Sequence, residues 1–318
     1  MTHEHLQNII QKLKKEDSRW DAILELKLLT GQHWAPLLVP FLKNEDWVIR
    51  WCVVEKLGDL GDRRAIKPLM ATFLDPDAHV RKNTTKALIR LGVNVIPYVI
   101  PYFAHPSSVI RKQVYDLLFK MGSKILFALE QLLPKQNWVV ANRMVDVIWR
   151  IGGANAENAL IRALPIKTVQ KNALLLLGEL KCKNALPHLL DVFDVPSSRR
   201  AVLYALSLIG KEESYMFIVN QLTPAVSAAS ESAEAAVMKI GSPILPYLVK
   251  GLLKPNLNKR KMVHLITRIG PESVMPDIHK LAERNEHLRM ITEDLRKKYP
   301  PNNTLGNLFN FLKQSFPA

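Results

Sequence analysis

The chain has 318 residues, 48% of them hydrophobic, with 13 glycines, 20 prolines and a net charge of +15. That balance excludes a disordered or collagen-like polymer, and no apolar run is long enough to span a bilayer. The mixed-charge start MTHEHLQNIIQKLKKED has no apolar signal region, and Cys52 and Cys182 read as buried thiols rather than a disulfide, so a cytoplasmic protein is expected.

Amphipathic segments follow one another in pairs along the chain. Residues 3–15 and 18–30 form the first pair, through HLQNIIQKL and WDAILELKLL. WAPLLVPFL and DWVIRWCVVEKLGDLG make the second. The third runs from DRRAIKPLMATFL to DPDAHVRKNTTKALIRLG, and the fourth ends in SSVIRKQVYDLLFKMG. SKILFALEQLL and NWVVANRMVDVIWRIG form the fifth. A shortened sixth follows, then three that drift from consensus, of which AVSAASESAEAAVMKIG is the smallest and least charged. A tenth pair covers about 272–298. Pro300 and Pro301 break it, and TLGNLFNFLKQSF within 299–318 predicts a short helix capping the last pair.

The pairs keep a register. Glycines recur at 31, 61, 92, 122, 152, 178, 210, 241 and 270, and a period near thirty marks stacked supersecondary units. The interval from Gly152 to Gly178 is about one helical turn short, which predicts an irregularity there. Four residues before the glycines from Gly61 on stand Leu57, Leu88, Leu118, Ile148, Leu174, Leu206, Val237 and Ile266, all apolar. Fifteen residues before the first four of those glycines stand Asp46, Asp77, Ser107 and Asn137, side chains suited to accept from a helix's first N–H groups. Eleven residues before, six of eight positions are basic, among them Arg50, Arg81, Arg111 and Arg199.

The pattern A-x-x-P-L followed by D-x-x-V-R resembles the HEAT repeat, in the variant of the phycobilisome-lyase type, over roughly residues 1–298. The resemblance implies an all-α, right-handed α-solenoid of about ten HEAT-like helical pairs forming one domain. It also implies that Arg50, Arg81, Arg111 and Arg199 form a ladder to the aspartate or backbone of a neighbouring repeat. Second helices would line the concave surface.

Charge is unevenly spread. Residues 1–77 are net −1 and 78–171 net +10, while 172–238 are net −2 and 239–318 net +8. Side chains at ten, six and two residues before each glycine share one helix face. In the third to fifth pairs this stripe contains Lys82, Lys86, Arg90, Lys112, Lys120 and Arg150, and in the ninth Arg260 and Arg268. The carboxylates of Asp116 and Asp146 are expected to neutralise Lys112, Lys120 and Arg150 at helical spacing. Such a ribbon suits an acidic protein or another anionic partner.

Catalytic signals are sparse. The nine histidines form no metal-ligand cluster. HEAT-like iron hydroxylases use repeated His-Glu dipeptides, whereas only His3-Glu4 occurs here. No phosphate-binding loop or nucleophile elbow is present. The expected protein is therefore a non-catalytic binding scaffold with no metal or cofactor and an acidic protein partner. Nucleic acid is the alternative: HEAT-like DNA glycosylases cradle bases with aromatics, and Trp51 falls on the exposed stripe with Trp149 beside it. Trp47 and Trp138, at helix starts, read as packing staples. A phycobilin lyase-like role in chromophore handling is the other activity the resemblance suggests.

Overall fold

Glycine and proline set the rhythm of the structure. A computed structural model describes residues 2–225 and 227–301, all helix, turn or coil, with no strand among them. The expected capping helix lies outside the described residues from 302 on. The chain forms two compact units, Met1–Ala173 and Leu174–Ala318. Each is a stack of helical pairs, so the fold class is all-α and solenoid-like.

Within a pair the two helices differ for a physical reason. Second helices are continuous, as in Trp47–Leu60, Ala78–Arg90, Ser108–Met121 and Trp138–Ile151. Several first helices are interrupted by proline, which lacks the N–H that an α-turn needs. Around Pro97 and Pro101 only Ile96–Val99 is α-helical, flanked by the 3-10 turns Gly92–Val95 and Ile100–Ala104. The sixth first helix, Gly153–Ala163, has no proline and runs unbroken.

The apolar column is the core. Leu57, Leu88, Leu118, Ile148, Leu174, Leu206, Val237 and Ile266 are all completely buried. Each is worth roughly 1.5–3 kcal/mol on removal from water, an upper estimate. Of the four expected caps, Asp46, Asp77 and Asn137 accept from backbone N–H groups of their helices. Ser107 does not; its own N–H donates to Nδ1 of His105 at 3.1 Å.

The shortened sixth pair is corrected by the structure. Gly178 lies inside helix Gln170–Glu179, and the left-handed residue that ends this turn is Lys181, with φ 52°. The interval from Gly152 to the true terminator is thus close to the others. Gly178 instead matches Gly58, three residues before Gly61. A Cβ on Gly58 would stand 2.7 Å from Cα of Ala87, and one on Gly178 2.8 Å from Cα of Ala205. These glycines let neighbouring second helices touch backbone to backbone.

Candidate functional site

The realigned register explains the basic column. In several repeats the side chain about eleven residues before the terminator donates to the carbonyl six residues earlier, at the end of the first helix of the same pair. Arg50 Nη1 reaches Asn44 O at 2.8 Å, Arg81 Nη1 reaches Asp75 O at 2.6 Å, and Arg111 Nη1 reaches His105 O at 2.8 Å. Arg199 Nε meets Phe193 O at 3.3 Å, and Gln170 Nε2 meets Leu164 O at 2.9 Å. Arg19 does the same to Leu13 O at 3.0 Å. Where it is polar in this way, the column satisfies carbonyls that a helix end leaves without partners, closing those corners from within.

The ladder between repeats, expected at these arginines, needs an aspartate in the next turn. Arg50 finds one: its Nε and Nη2 both hold Asp75 at 2.8 Å, buried. Arg19 approaches Asp46 at 3.7 Å. Arg81 faces a turn where His105 and Ser107 replace the two aspartates, and its side-chain bonds stay within its own repeat. Those of Arg111 do too. A recurring set of links between repeats comes from nine residues before the terminator, a position sequence reading passed over. Asn83 donates to Trp51 O at 2.9 Å, Arg143 donates to Phe103 O, and Asn172 donates to Asp146 Oδ1 at 3.0 Å. In the second unit Lys261 donates to Ser230 Oγ at 3.1 Å and pairs with Glu234. Column polarity was the available signal, masked in the sixth repeat by the misplaced glycine.

On the predicted ribbon, Lys82, Lys86, Arg90, Lys112, Lys120 and Arg150 are all exposed, as are Arg260 and Arg268 in the second unit. Arg90 is tied to Asp59 at 3.0 Å, two positions before the terminator on both helices. That contact sets the stripes of adjacent helices side by side. Arg150 lies over the Tyr115 ring at 5.4 Å. Among the described residues no carboxylate comes within ion-pair distance of Lys82, Lys86, Lys112 or Lys120. The expected neutralisation by Asp116 and Asp146 is not formed, since Asp146 accepts from Asn172 instead.

The aromatics also depart from expectation. Trp138 and Trp47 are exposed rather than buried staples, and Trp47 tilts against His79 with centroids 5.3 Å apart. Trp51 and Trp149 are half-buried. A shallow groove beside Trp51 is lined by Ile23, Lys27, Cys52 and Lys56. Burial pushes the Cys52 thiol up to about 12 and draws the Lys56 ammonium down; Lys56 donates to Lys27 O at 2.7 Å. Among the described residues no group of three or more His, Cys, Asp or Glu is placed to hold a metal, and no helix is long and apolar enough to cross a membrane.

The stripe in the first pair was missed. The left-handed residue here is Gly31, but Arg19, twelve residues before it, makes the bond that Arg50, Arg81 and Arg111 make from eleven, so the corresponding face holds Trp20, Leu24 and Leu28. They are 77%, 59% and 78% exposed. Helix Arg19–Leu28 buries Ala22 and Leu26 on its other side. A helix apolar on two faces cannot bury both in one stack, and that was legible in WDAILELKLL.

Residues 4–89 match the family model for HEAT repeats. No curated protein matches the chain. Among solved structures it is similar to human deoxyhypusine hydroxylase, with 18% identity, 75% of this chain and 96% of that one covered, and a TM-score of 0.33. It is similar to a chain of the complex of CpcE and CpcF of phycocyanin lyase from a Nostoc species, at 18% identity, 74% and 94% coverage and a TM-score of 0.27. It is similar to a chain of the Kap95:Nup1 complex, at 15% identity, 97% and 49% coverage and a TM-score of 0.33. Their differing roles assign none to this chain.

Proposed function

From a chain whose residues 4–89 are HEAT repeats, we propose that the protein is a non-catalytic scaffold that binds an acidic protein segment on its second-helix face in the third to fifth repeats. The observation that supports this reading is the set of lysines at 82, 86, 112 and 120, exposed on adjacent helices without a carboxylate partner among the described residues. Unneutralised like charges on neighbouring helices repel, and an anionic partner removes that repulsion. Arg90 and Arg150 flank them, already engaged with Asp59 and Tyr115. Arg260 and Arg268 form a second, separate basic stripe in the other unit. A cytoplasmic setting belongs to this reading, with Cys52 and Cys182 as buried thiols.

The test is titration of a fluorescein-labelled glutamate-rich peptide, and separately a single-stranded oligonucleotide, into the protein at rising salt. Peptide binding is expected to weaken steeply with salt, because exposed charges are screened over about 8–10 Å at physiological ionic strength. Lys82→Glu/Lys86→Glu/Lys112→Glu should remain folded and lose the peptide. Wild-type affinity in that triple variant at low salt would defeat the proposal. An oligonucleotide preferred over the peptide, with a log–log salt slope of about −0.7 per phosphate contacted, would replace it with nucleic-acid binding.

A further inference from the structure

The same stripe that is basic in the third and fourth repeats is wholly apolar in the first. Trp20, Leu24 and Leu28 are among the most exposed large apolar side chains described. Between these blocks, on helix Trp47–Leu60, the stripe reads Trp51, Glu55 and Asp59. Trp51 and Glu55 are half-buried, and Asp59 is held by Arg90 at 3.0 Å. Along this face of the first unit the surface therefore changes from apolar, through a weakly acidic strip, to a lysine-rich one in which the exposed Asp116 stands between Lys112 and Lys120 without an ion pair to either.

We infer that this gradient is a polarised docking site for one acidic polypeptide segment, whose apolar residues seat on Trp20, Leu24 and Leu28 and whose carboxylates lie over Lys82, Lys86, Lys112 and Lys120. The inference rests on the proposed acidic-partner reading and adds a direction and a spacing to it. Charge complementarity selects the acidic end. The aliphatic surface of Leu24 and Leu28 selects a polypeptide over a nucleic acid, since phosphates gain nothing there and bases stack on aromatic rings instead. Glu55 disfavours carboxylates over the middle strip, so the partner's acidic residues begin beyond it. Neighbouring helices pack about 8–10 Å apart, and an extended chain advances about 3.3 Å per residue. Crossing two helix intervals then takes about six residues between the apolar block and the first carboxylates.

The probes are synthetic fluorescein-labelled peptides: a leucine-rich block, a neutral spacer of about six residues and a glutamate block, made in both chain directions. Controls shorten the spacer to about two residues, replace the leucines by serine, or replace the glutamates by lysine. One direction of the full peptide is expected to bind about ten-fold or more tighter than the serine and short-spacer controls, and the lysine control to fail. Leu24→Ser/Leu28→Ser, and independently Trp20→Gln, should weaken the full peptide by about ten-fold, leave the serine control unchanged and keep the wild-type melting curve. If the serine control binds as well as the full peptide and the stripe variants change nothing, the inference falls. The acidic-partner proposal then survives, provided Lys82→Glu/Lys86→Glu/Lys112→Glu still abolishes binding. Failure of every glutamate peptide overturns both. Sedimentation velocity covers the remaining occupant: a concentration-dependent dimer that Leu24→Ser/Leu28→Ser dissociates would assign the face to a second copy of the chain and overturn the inference.

Discussion

Three residues within one short stretch separate structural charge from surface charge. Arg50 is buried, donates to two carbonyls and holds Asp75 through two nitrogens. Its hydrogen bond to Asp75 raises its pKa further. Deleting one partner of a buried ion pair typically costs about 3–5 kcal/mol, because the other charge stays behind without compensation. Arg81 serves only carbonyls, and losing it should cost about 1–3 kcal/mol. Lys82 is exposed and should change stability by no more than about 0.5 kcal/mol. Thermal melts of Arg50→Ala, Arg81→Ala and Lys82→Ala are expected in that order, and any other order would misplace the buried pair. A pH effect belongs to Asp62. The Arg64 side chain donates to its carboxylate, as does the Arg64 backbone N–H, and together they hold it below the usual carboxylate range. A depressed carboxylate contributes its stability above the ordinary value near 4, and that contribution is lost as pH falls through the folded value. Asp62→Asn should therefore flatten the acid-side decline of the melting temperature, with its largest penalty at neutral pH.

At the scale of the helix, most of the fold was legible because burial follows a period that sequence displays. Seven of the eight apolar residues of the column sit in the expected register, Leu177 taking the place of Leu174 once the turn ends at Lys181, and three of the four caps form as expected. What escaped was position by backbone conformation. Gly178 and the terminating glycines look alike as letters, yet Gly178 serves contact with Ala205, while Lys181 takes the left-handed turn that a glycine takes elsewhere. The basic stripe was legible for the same reason as the core, since i, i+4, i+8 is one face. Its apolar beginning was not, because Gly31 offered a register one residue out. The missing neutralisation by Asp116 and Asp146 depended on rotamers and neighbours that no spacing encodes. Two substitutions test the corrected register. Gly178→Ala should destabilise by about 1–3 kcal/mol through overpacking against Ala205. Lys181→Gly should stabilise by up to about 1 kcal/mol, relieving a left-handed conformation that costs a side-chain-bearing residue roughly 1–2 kcal/mol. Were the helix to end at Gly178, Lys181→Gly would bring no gain.

In the molecule as a whole, a stack of repeats carries stability from neighbour to neighbour rather than through one central core. The two compact units, Met1–Ala173 and Leu174–Ala318, each contain a close glycine–alanine approach between second helices, at Gly58–Ala87 and Gly178–Ala205. A side chain forced in at either point strains the adjoining repeats first. Hydrogen exchange read by mass spectrometry should show this. Gly58→Ala is expected to raise exchange in helices Trp47–Leu60 and Ala78–Arg90 while amides of residues 186–301 keep their protection, and Gly178→Ala should act on Gln170–Glu179 and Arg199–Ile209 while amides of residues 47–121 keep theirs. Equal loss throughout the chain after either change would mean one cooperative block instead. The outcome also bears on binding, because helices Trp47–Leu60 and Ala78–Arg90 carry the middle strip and the first lysines of the proposed docking face. Gly58→Ala should thus weaken the glutamate peptide without removing a single charge from it, whereas Gly178→Ala should leave that affinity at the wild-type value.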